Sequence, residues 1–333
     1  MILVTGATGH VGNVLVRKLL QRGEKVRVLV LKGDDLTPLK GLNVEKIEGD
    51  VRNFEDVKKA VKGVDFIYHL AALISIGAGK KGLIKSVNVK GVENILSAAK
   101  IFKVKRVLYM GSVHAFAELP RGSFIDENTP FDPKLTTGVY GKTKAFAALK
   151  VLNATKSGLD VVIVCPTGIV GPYDFKKSEM GTMILNFLHD ELPIGIKGSF
   201  DFVDVRDVAD GAIKACEKGK KGEAYILSGE KVEMDKMMEE LRKITGKRGP
   251  FIMLEKRNAM LLSYFSLVTS ILGRKKAIFT PYSVHTLNMD YTFSHEKATK
   301  ELGYAPRPFV ETLQDTVKWF VNFENKAQKL AIL

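Results

Sequence analysis

A chain of 333 residues, 45% of them hydrophobic, can bury a large core and exceeds the usual size of one domain, which excludes a disordered chain and predicts one large and one smaller domain. Its formal charge of +14 is spread over helix faces and turns, in short clusters at Lys176-Lys177, Lys218 to Lys221, Lys247-Arg248 and Arg274 to Lys276. No aromatic-interleaved basic pattern accompanies it, so no nucleic-acid partner is expected and the charge reads as a solvated surface that also attracts a polyanionic cofactor.

Met1 opens directly on a strand pattern, without the basic, apolar and small-residue regions of an export signal, so a cytoplasmic protein is expected. Ile2 to Val4 runs through Thr5 into Gly6-Ala7-Thr8-Gly9-His10-Val11-Gly12 and then a helical pattern over His10 to Gln21. Gly6 allows the tight turn, Gly9 lets the backbone approach a pyrophosphate, and Gly12 permits close helix packing. A dinucleotide's diphosphate would rest on the loop Thr8 to Val11 and the free amides of the helix start. A glycine-rich turn without ligand is the bland alternative, which the strand before and helix after disfavour.

The second strand, Val26 to Leu31, carries no acid about 20 residues past the glycines, where a site preferring NAD places one. Lys32 follows and Asp34-Asp35 lie just downstream, so NADP is expected ahead of NAD, with Lys32 as its cation. Further apolar runs at Val44 to Ile47, Val64 to Leu70, Val104 to Met110 and Val161 to Cys165 alternate with helical patterns at Phe54 to Val61, Val87 to Phe102 and Val139 to Ser157. Steady alternation of this kind predicts the α/β class, with a doubly wound parallel sheet of the Rossmann type. Ligands bind such sheets beyond the carboxyl ends of the strands. Ser112 follows the strand from Val104 and should present its hydroxyl there; a turn hydroxyl is the alternative. Tyr140 and Lys144 sit at i and i+4, on one helix face. A cation beside a phenol would draw its pKa of about 10 towards the range of a proton-transfer catalyst.

Glycine and proline multiply after Pro166, so a dinucleotide-binding domain over 1–168 and a mostly substrate-binding domain over 169–333 are expected. Residues 200–230 should return to the main sheet, with a helix at Val205 to Glu217 and a strand at Ala224 to Leu227. Ala259 to Leu272 is apolar and ends in Gly273-Arg274-Lys275-Lys276, too short for a bilayer span of about 20 residues. A buried or pocket-lining helix is the first reading, and a helix touching a membrane surface, with basic residues at the headgroups, is the other. The cysteines, Cys165 and Cys216, suit buried thiols rather than a disulfide framework, and with no CxxC or HExxH among scattered histidines no metal is expected.

Beyond the glycine loop, Ser112 and Tyr140 to Lys144, the chain holds Gly49-Asp50-Val51, His69-Leu70-Ala71-Ala72, Asn88 to Asn94, Pro166 to Pro172 and Phe202 to Ala209 in order. With these it resembles the extended short-chain dehydrogenase/reductase family from end to end. Within it the chain is most similar to dihydroflavonol reductase-like and 3β-hydroxysteroid dehydrogenase-like members, on its non-acidic second strand and its apolar 259–272 segment. The resemblance implies that Asp50 and Val51 contact the adenine, Leu70, Ala71 and Ala72 the middle of the cofactor, and Pro166, Thr167, Gly168 and Ile169 its nicotinamide end. Asn88 would also contact the cofactor. Ser112, Tyr140 and Lys144 would be the catalytic trio, with Tyr140 and Lys144 touching the cofactor as well. His114 stands where many relatives have a small Ser or Thr; it is a substrate contact or a local packing histidine.

The implied activity is hydride transfer between nicotinamide and an alcohol or ketone, on a fairly apolar or uncharged small molecule. The implied assembly is a homodimer pairing the tyrosine helix and the helix near Val87 to Phe102. Two other classes stay open. A nucleotide-sugar epimerase or dehydratase with tightly bound NAD would need arginines for the diphosphate, and Arg242, Arg257, Arg274 and Arg307 are candidates. A non-catalytic cofactor-sensing protein is the other, although a sensor has no need of all three members of the trio.

Overall fold

The computed structural model of the protein describes residues 1–74, 81–271 and 280–331. Seven strands, β1 (Ile2–Thr5), β2 (Val26–Val30), β3 (Glu45–Glu48), β4 (Phe66–His69), β5 (Arg106–Met110), β6 (Val161–Pro166) and β7 (Ala224–Leu227), form one sheet in the order β3-β2-β1-β4-β5-β6-β7. Every neighbouring pair is parallel. Strand order reverses between β1 and β4, so the ligand crevice expected of such a sheet opens beyond Thr5 and His69, which are register partners.

Both faces of the sheet are buried, which is why its strands read as near-continuous apolar runs rather than alternating ones. Val4, Val28, Tyr68, Leu108 and Val164 pack on one side with α1 (His10–Gln21) and a helix at Val205–Lys218. Leu3, Leu29, Ile67, Val107 and Ile163 pack on the other with α2 (Phe54–Val61), α3 (Gly91–Ile101) and α4 (Gly138–Lys156). The edge strand β3 departs from this pattern: Glu45, Lys46 and Glu48 are exposed, and charge on an edge discourages pairing with another chain. The helix predicted from Val87 begins instead as a wide π turn over Ser86–Lys90, which seats Asn88 in the interior before α3 starts.

The smaller body is built on three strands, Gly168–Val170, Ser199–Asp204 and Glu230–Glu233. Ile184, Phe187, Met237, Leu241, Leu313 and Phe320 make its core. Between the second and third of these strands the chain crosses back through Val205–Lys218 and β7 to the main sheet. Asp204 caps the Val205–Lys218 helix through the Arg206 amide at 2.7 Å, while Arg307 holds Asp207 at 2.7 Å. The apolar 259–272 segment lies in a helix at Lys256–Ile271, burying Ala259 and Ser263 while Leu261 and Tyr264 are exposed. Leu272 and the cluster Arg274 to Lys276 lie outside the described residues. Among the described residues, no helix is long and apolar enough to cross a membrane.

Candidate active site

The turn leaving β1 depends on missing side chains. Gly6 has φ +72°, and a Cβ there would stand 2.7 Å from the Ala71 amide nitrogen; one on Gly12 would stand 2.1 Å from the Gly6 carbonyl oxygen. The loop therefore lies directly against the segment after β4. Thr5 fastens the two: its hydroxyl oxygen is 2.7 Å from His69 Nδ1 and accepts from the Ala71 amide at 3.2 Å. Gly9 opens α1 with no side-chain cap and no acidic residue in the first turn. That leaves first-turn amides and the positive helix end available for a diphosphate, so the residues present fit a dinucleotide.

Around the adenosine end, the Asp50 carboxylate is hydrogen-bonded by Arg52, which holds it below the usual carboxylate range. The Val51 carbonyl accepts from Asn94 Nδ2 at 2.9 Å. Leu31 and Lys32, at the end of β2, are exposed. It is Asp34 rather than Lys32 that reaches the glycine loop: Thr8 donates to Asp34 Oδ2 at 2.5 Å, and Lys176 donates to Asp34 Oδ1 at 2.8 Å. Burial works to raise the Asp34 pKa, yet the hydrogen bonds from Lys176 and Thr8 outweigh it and hold the carboxylate below its ordinary range. Asn88 is buried and joins the segment after β4 to α4. Its oxygen accepts from the Leu73 amide at 2.8 Å, and its NH2 group donates to the Leu73 carbonyl and the Thr143 hydroxyl, both at 3.1 Å.

The other candidates gather at the carboxyl end of β5. Ser112 ends the extended chain and caps a short turn at Val113–Ala115, accepting from the His114 amide at 3.3 Å. Tyr140 enters from the first turn of α4. Lys144, one turn on, is buried and donates to the Met110 carbonyl at 2.6 Å, with its ammonium 4.9 Å over the Tyr109 ring. Gly141 makes the approach of α4 workable, because a Cβ there would lie 2.7 Å from the His114 carbonyl oxygen. Burial pushes the Tyr140 phenol up to about 12, with a hydrogen bond to Ser112 pulling the other way, and pulls Lys144 down to about 8. The charge of Lys144 is engaged by Met110 and Tyr109, and desolvation dominates at Tyr140.

His114 packs 5.8 Å from Phe200, nearly parallel, with Tyr140 at 6.1 Å and Tyr282 at 5.7 Å. Burial depresses it to about 4, so it is neutral at pH 7. It also lines a small cavity of about 40 Å3, together with Phe116, Phe200, Tyr282, Met289 and Phe293, where Glu118 and His285 meet at 3.3 Å. His114 is thus packed among aromatic rings and also faces the cavity. At the end of β6, Thr167 donates to Asp201 Oδ1 at 2.6 Å, and a Cβ on Gly168 would touch Phe200 and Phe202 at 2.9 Å. Sequence reasoning passed over Asp201, Tyr282 and Lys176. Lys176 was visible only as half of a surface-like basic pair, and Tyr282 carries no local signal.

Residues 2–228 match the model of the NAD dependent epimerase/dehydratase family. The chain belongs to that family, the extended short-chain dehydrogenase/reductases. It is 36% identical over 322 residues to sterol demethylase protein B of Methylococcus capsulatus, an alignment covering 96% of this chain and 97% of that one. A Synechocystis protein provisionally named dihydroflavonol 4-reductase is 31% identical, covering 96% of this chain and 94% of its own length. The crystal structure of gox2253 superposes with a TM-score of 0.84 at 32% identity, over 97% of this chain and 98% of that one. Within this family the chain is an NAD(P)-dependent oxidoreductase.

Proposed function

We propose that the protein is an NADP-preferring ketone reductase and alcohol dehydrogenase, acting on a CH–OH or C=O carbon of an uncharged, largely apolar substrate in the cytoplasm. The observation that carries this reading is the meeting of Ser112, Tyr140 and Lys144 at the end of β5, where Lys144 is bonded to the carbonyl just two residues before Ser112. The loop Gly6 to Val11, Asp50 to Val51, Leu70 to Ala72 and Pro166 to Ile169 would hold the coenzyme. A bound nicotinamide supplies the hydride. Ser112 and Tyr140 orient the substrate oxygen with their hydroxyls, and Tyr140 delivers a proton to it, because a phenol held at about 12 keeps its proton at neutral pH. Lys144 anchors the turn behind the phenol and offers positive charge as the oxygen becomes negative.

The aromatic lining shared by His114, Phe200 and Tyr282 supports an apolar substrate. Against a nucleotide-sugar diphosphate stand Arg307, bound to Asp207, and Arg242, which donates to the Arg248 and Pro250 carbonyls; of the other two candidates Arg257 is exposed and Arg274 lies outside the described residues. The exposed, non-acidic end of β2 at Leu31-Lys32 supports NADP. We also propose a homodimer through α3 and α4, because Phe146 and Leu149 on α4 are exposed beside a surface cleft that Phe146 and Val89 line. Tyr140→Phe tests the catalytic assignment. Turnover of a ketone panel should fall ~10²- to 10⁴-fold, the range of general acid catalysis, while the Kd for reduced coenzyme stays within about twofold. Undiminished turnover in the variant would overturn the reading.

A further inference from the structure

The contact between the glycine loop and the smaller body is a charged one, at the place where the fold puts the adenosine ribose. Thr8, in the Gly6–Gly9 turn, is 6% exposed and donates to Asp34 Oδ2 at 2.5 Å. Lys176 Nζ lies 3.0 Å from the Thr8 hydroxyl and 2.8 and 3.1 Å from the two Asp34 oxygens. Lys176 is 142 residues from Asp34 along the chain and arrives on the loop that follows Gly168–Val170. That loop is tied down on α1. His10 Nε2 is 3.0 Å from the Pro172 carbonyl oxygen, Asn13 donates to the Tyr173 carbonyl at 3.1 Å, and the Arg17 guanidinium lies 5.0 Å from the Tyr173 ring centre. Tyr173 itself has φ +69°, a left-handed turn that a bulky residue adopts only when its surroundings enforce it. Lys176 is therefore delivered to the loop by an anchored strap.

The two coenzymes ask opposite things of this spot. A ribose diol is recognised by a carboxylate, whereas a 2′-phosphate needs cations and is repelled by a carboxylate. Asp34 alone would favour the diol. With a lysine against both its oxygens, its charge is neutralised and a cation already stands within reach of the loop. We propose that Lys176 is the residue that admits the 2′-phosphate, and that the Asp34–Lys176 pair sets the choice between NADPH and NADH. This rests on the reading of the chain as an NAD(P)-dependent oxidoreductase, but it assigns the discrimination to a residue of the smaller body rather than to the end of β2 at Lys32.

The test is fluorescence titration of the full-length protein with NADPH and NADH, in wild type, Lys176→Ala, Lys176→Arg and Asp34→Asn, with circular dichroism confirming that each is folded. Lys176→Ala should weaken NADPH by about 10- to 100-fold, the loss of one charge-assisted contact, and NADH by no more than about threefold. Lys176→Arg should recover most of the NADPH affinity. Asp34→Asn, which keeps the shape and removes the charge, should tighten NADPH and weaken NADH. Raising the salt concentration should weaken NADPH more steeply in wild type than in Lys176→Ala. Equal losses for both coenzymes in Lys176→Ala, or no change in either, would overturn the inference while leaving the oxidoreductase reading intact. If wild type bound neither coenzyme, both would fall.

Discussion

Lys144→Met should yield a protein that is inactive yet more stable at neutral pH. The ammonium of Lys144 is buried, and burial pulls its pKa from 10.5 down to about 8. At ~1.4 kcal/mol per pH unit, this shift makes folding at pH 7, with the lysine still charged, about 3 kcal/mol less favourable than it would be with an unshifted pKa. Methionine preserves the apolar stem without the charge, and removing the partner of the Met110 carbonyl costs about 1 kcal/mol, so the net gain is about 2 kcal/mol. The pH dependence identifies the cause. Between pH 8 and 10.5 the unfolded lysine holds a proton that the folded one has lost, so wild-type stability rises with pH across this window. The variant lacks that rise, so its advantage should close by about pH 10. Urea unfolding of both proteins at pH 7 and pH 10, with turnover measured alongside, reads all three quantities. A variant less stable than wild type at pH 7, or a stability gap that ignores pH, would refute the reasoning.

Gly141→Ala drives a Cβ to within 2.7 Å of the His114 carbonyl oxygen and should cost about 1–3 kcal/mol in thermal unfolding. Because the clash displaces the turn carrying Tyr140, kcat should fall at least ~10-fold while coenzyme Kd holds; an unchanged kcat would show that this approach is not required. Phe146→Glu places a charge on the exposed apolar face of α4; under the proposed dimer, sedimentation should report a dimer for wild type and a monomer for the variant. A variant that still sediments as a dimer would place the interface elsewhere.

How much of this was legible in the sequence follows from the range of each interaction. Strands such as Val161–Pro166 are buried on both faces, so their apolar runs announce a covered parallel sheet before any contact is known. Ser112 was readable because it stands two residues past the end of β5, and Tyr140 and Lys144 because helical spacing places them on one face. The partner of Lys144 was not readable, since Met110 receives it through a backbone carbonyl that no side chain advertises. Nor did composition reveal that desolvation at Tyr140 outweighs a cation four residues away. Asp34 was seen as an acid near the end of β2, but its place on the glycine loop depends on Thr8 and on a lysine 142 residues distant. Tyr282 likewise joins the site only through tertiary approach to Gly138 and His114.

The balance of protons and charges fixes the protonation state from which the proposed chemistry starts. Near pH 7 the phenol of Tyr140 and the thiol of Cys165, each pushed up to about 12 by burial, stay protonated, and His114, pulled down to about 4, stays neutral. Lys144, at about 8, is mostly charged. The cluster therefore offers two hydroxyl donors, from Ser112 and Tyr140, and one cation, with no carboxylate among these groups. Such a set complements an oxygen that is gaining negative charge and needs a proton, which describes a carbonyl being reduced. Oxidising an alcohol asks the phenol to accept a proton instead, and the burial that raises its pKa disfavours the phenolate from which that base would have to act. A positive charge brought in by a ligand would lower the phenol's pKa, and each unit of that lowering makes the phenolate ~1.4 kcal/mol easier to form.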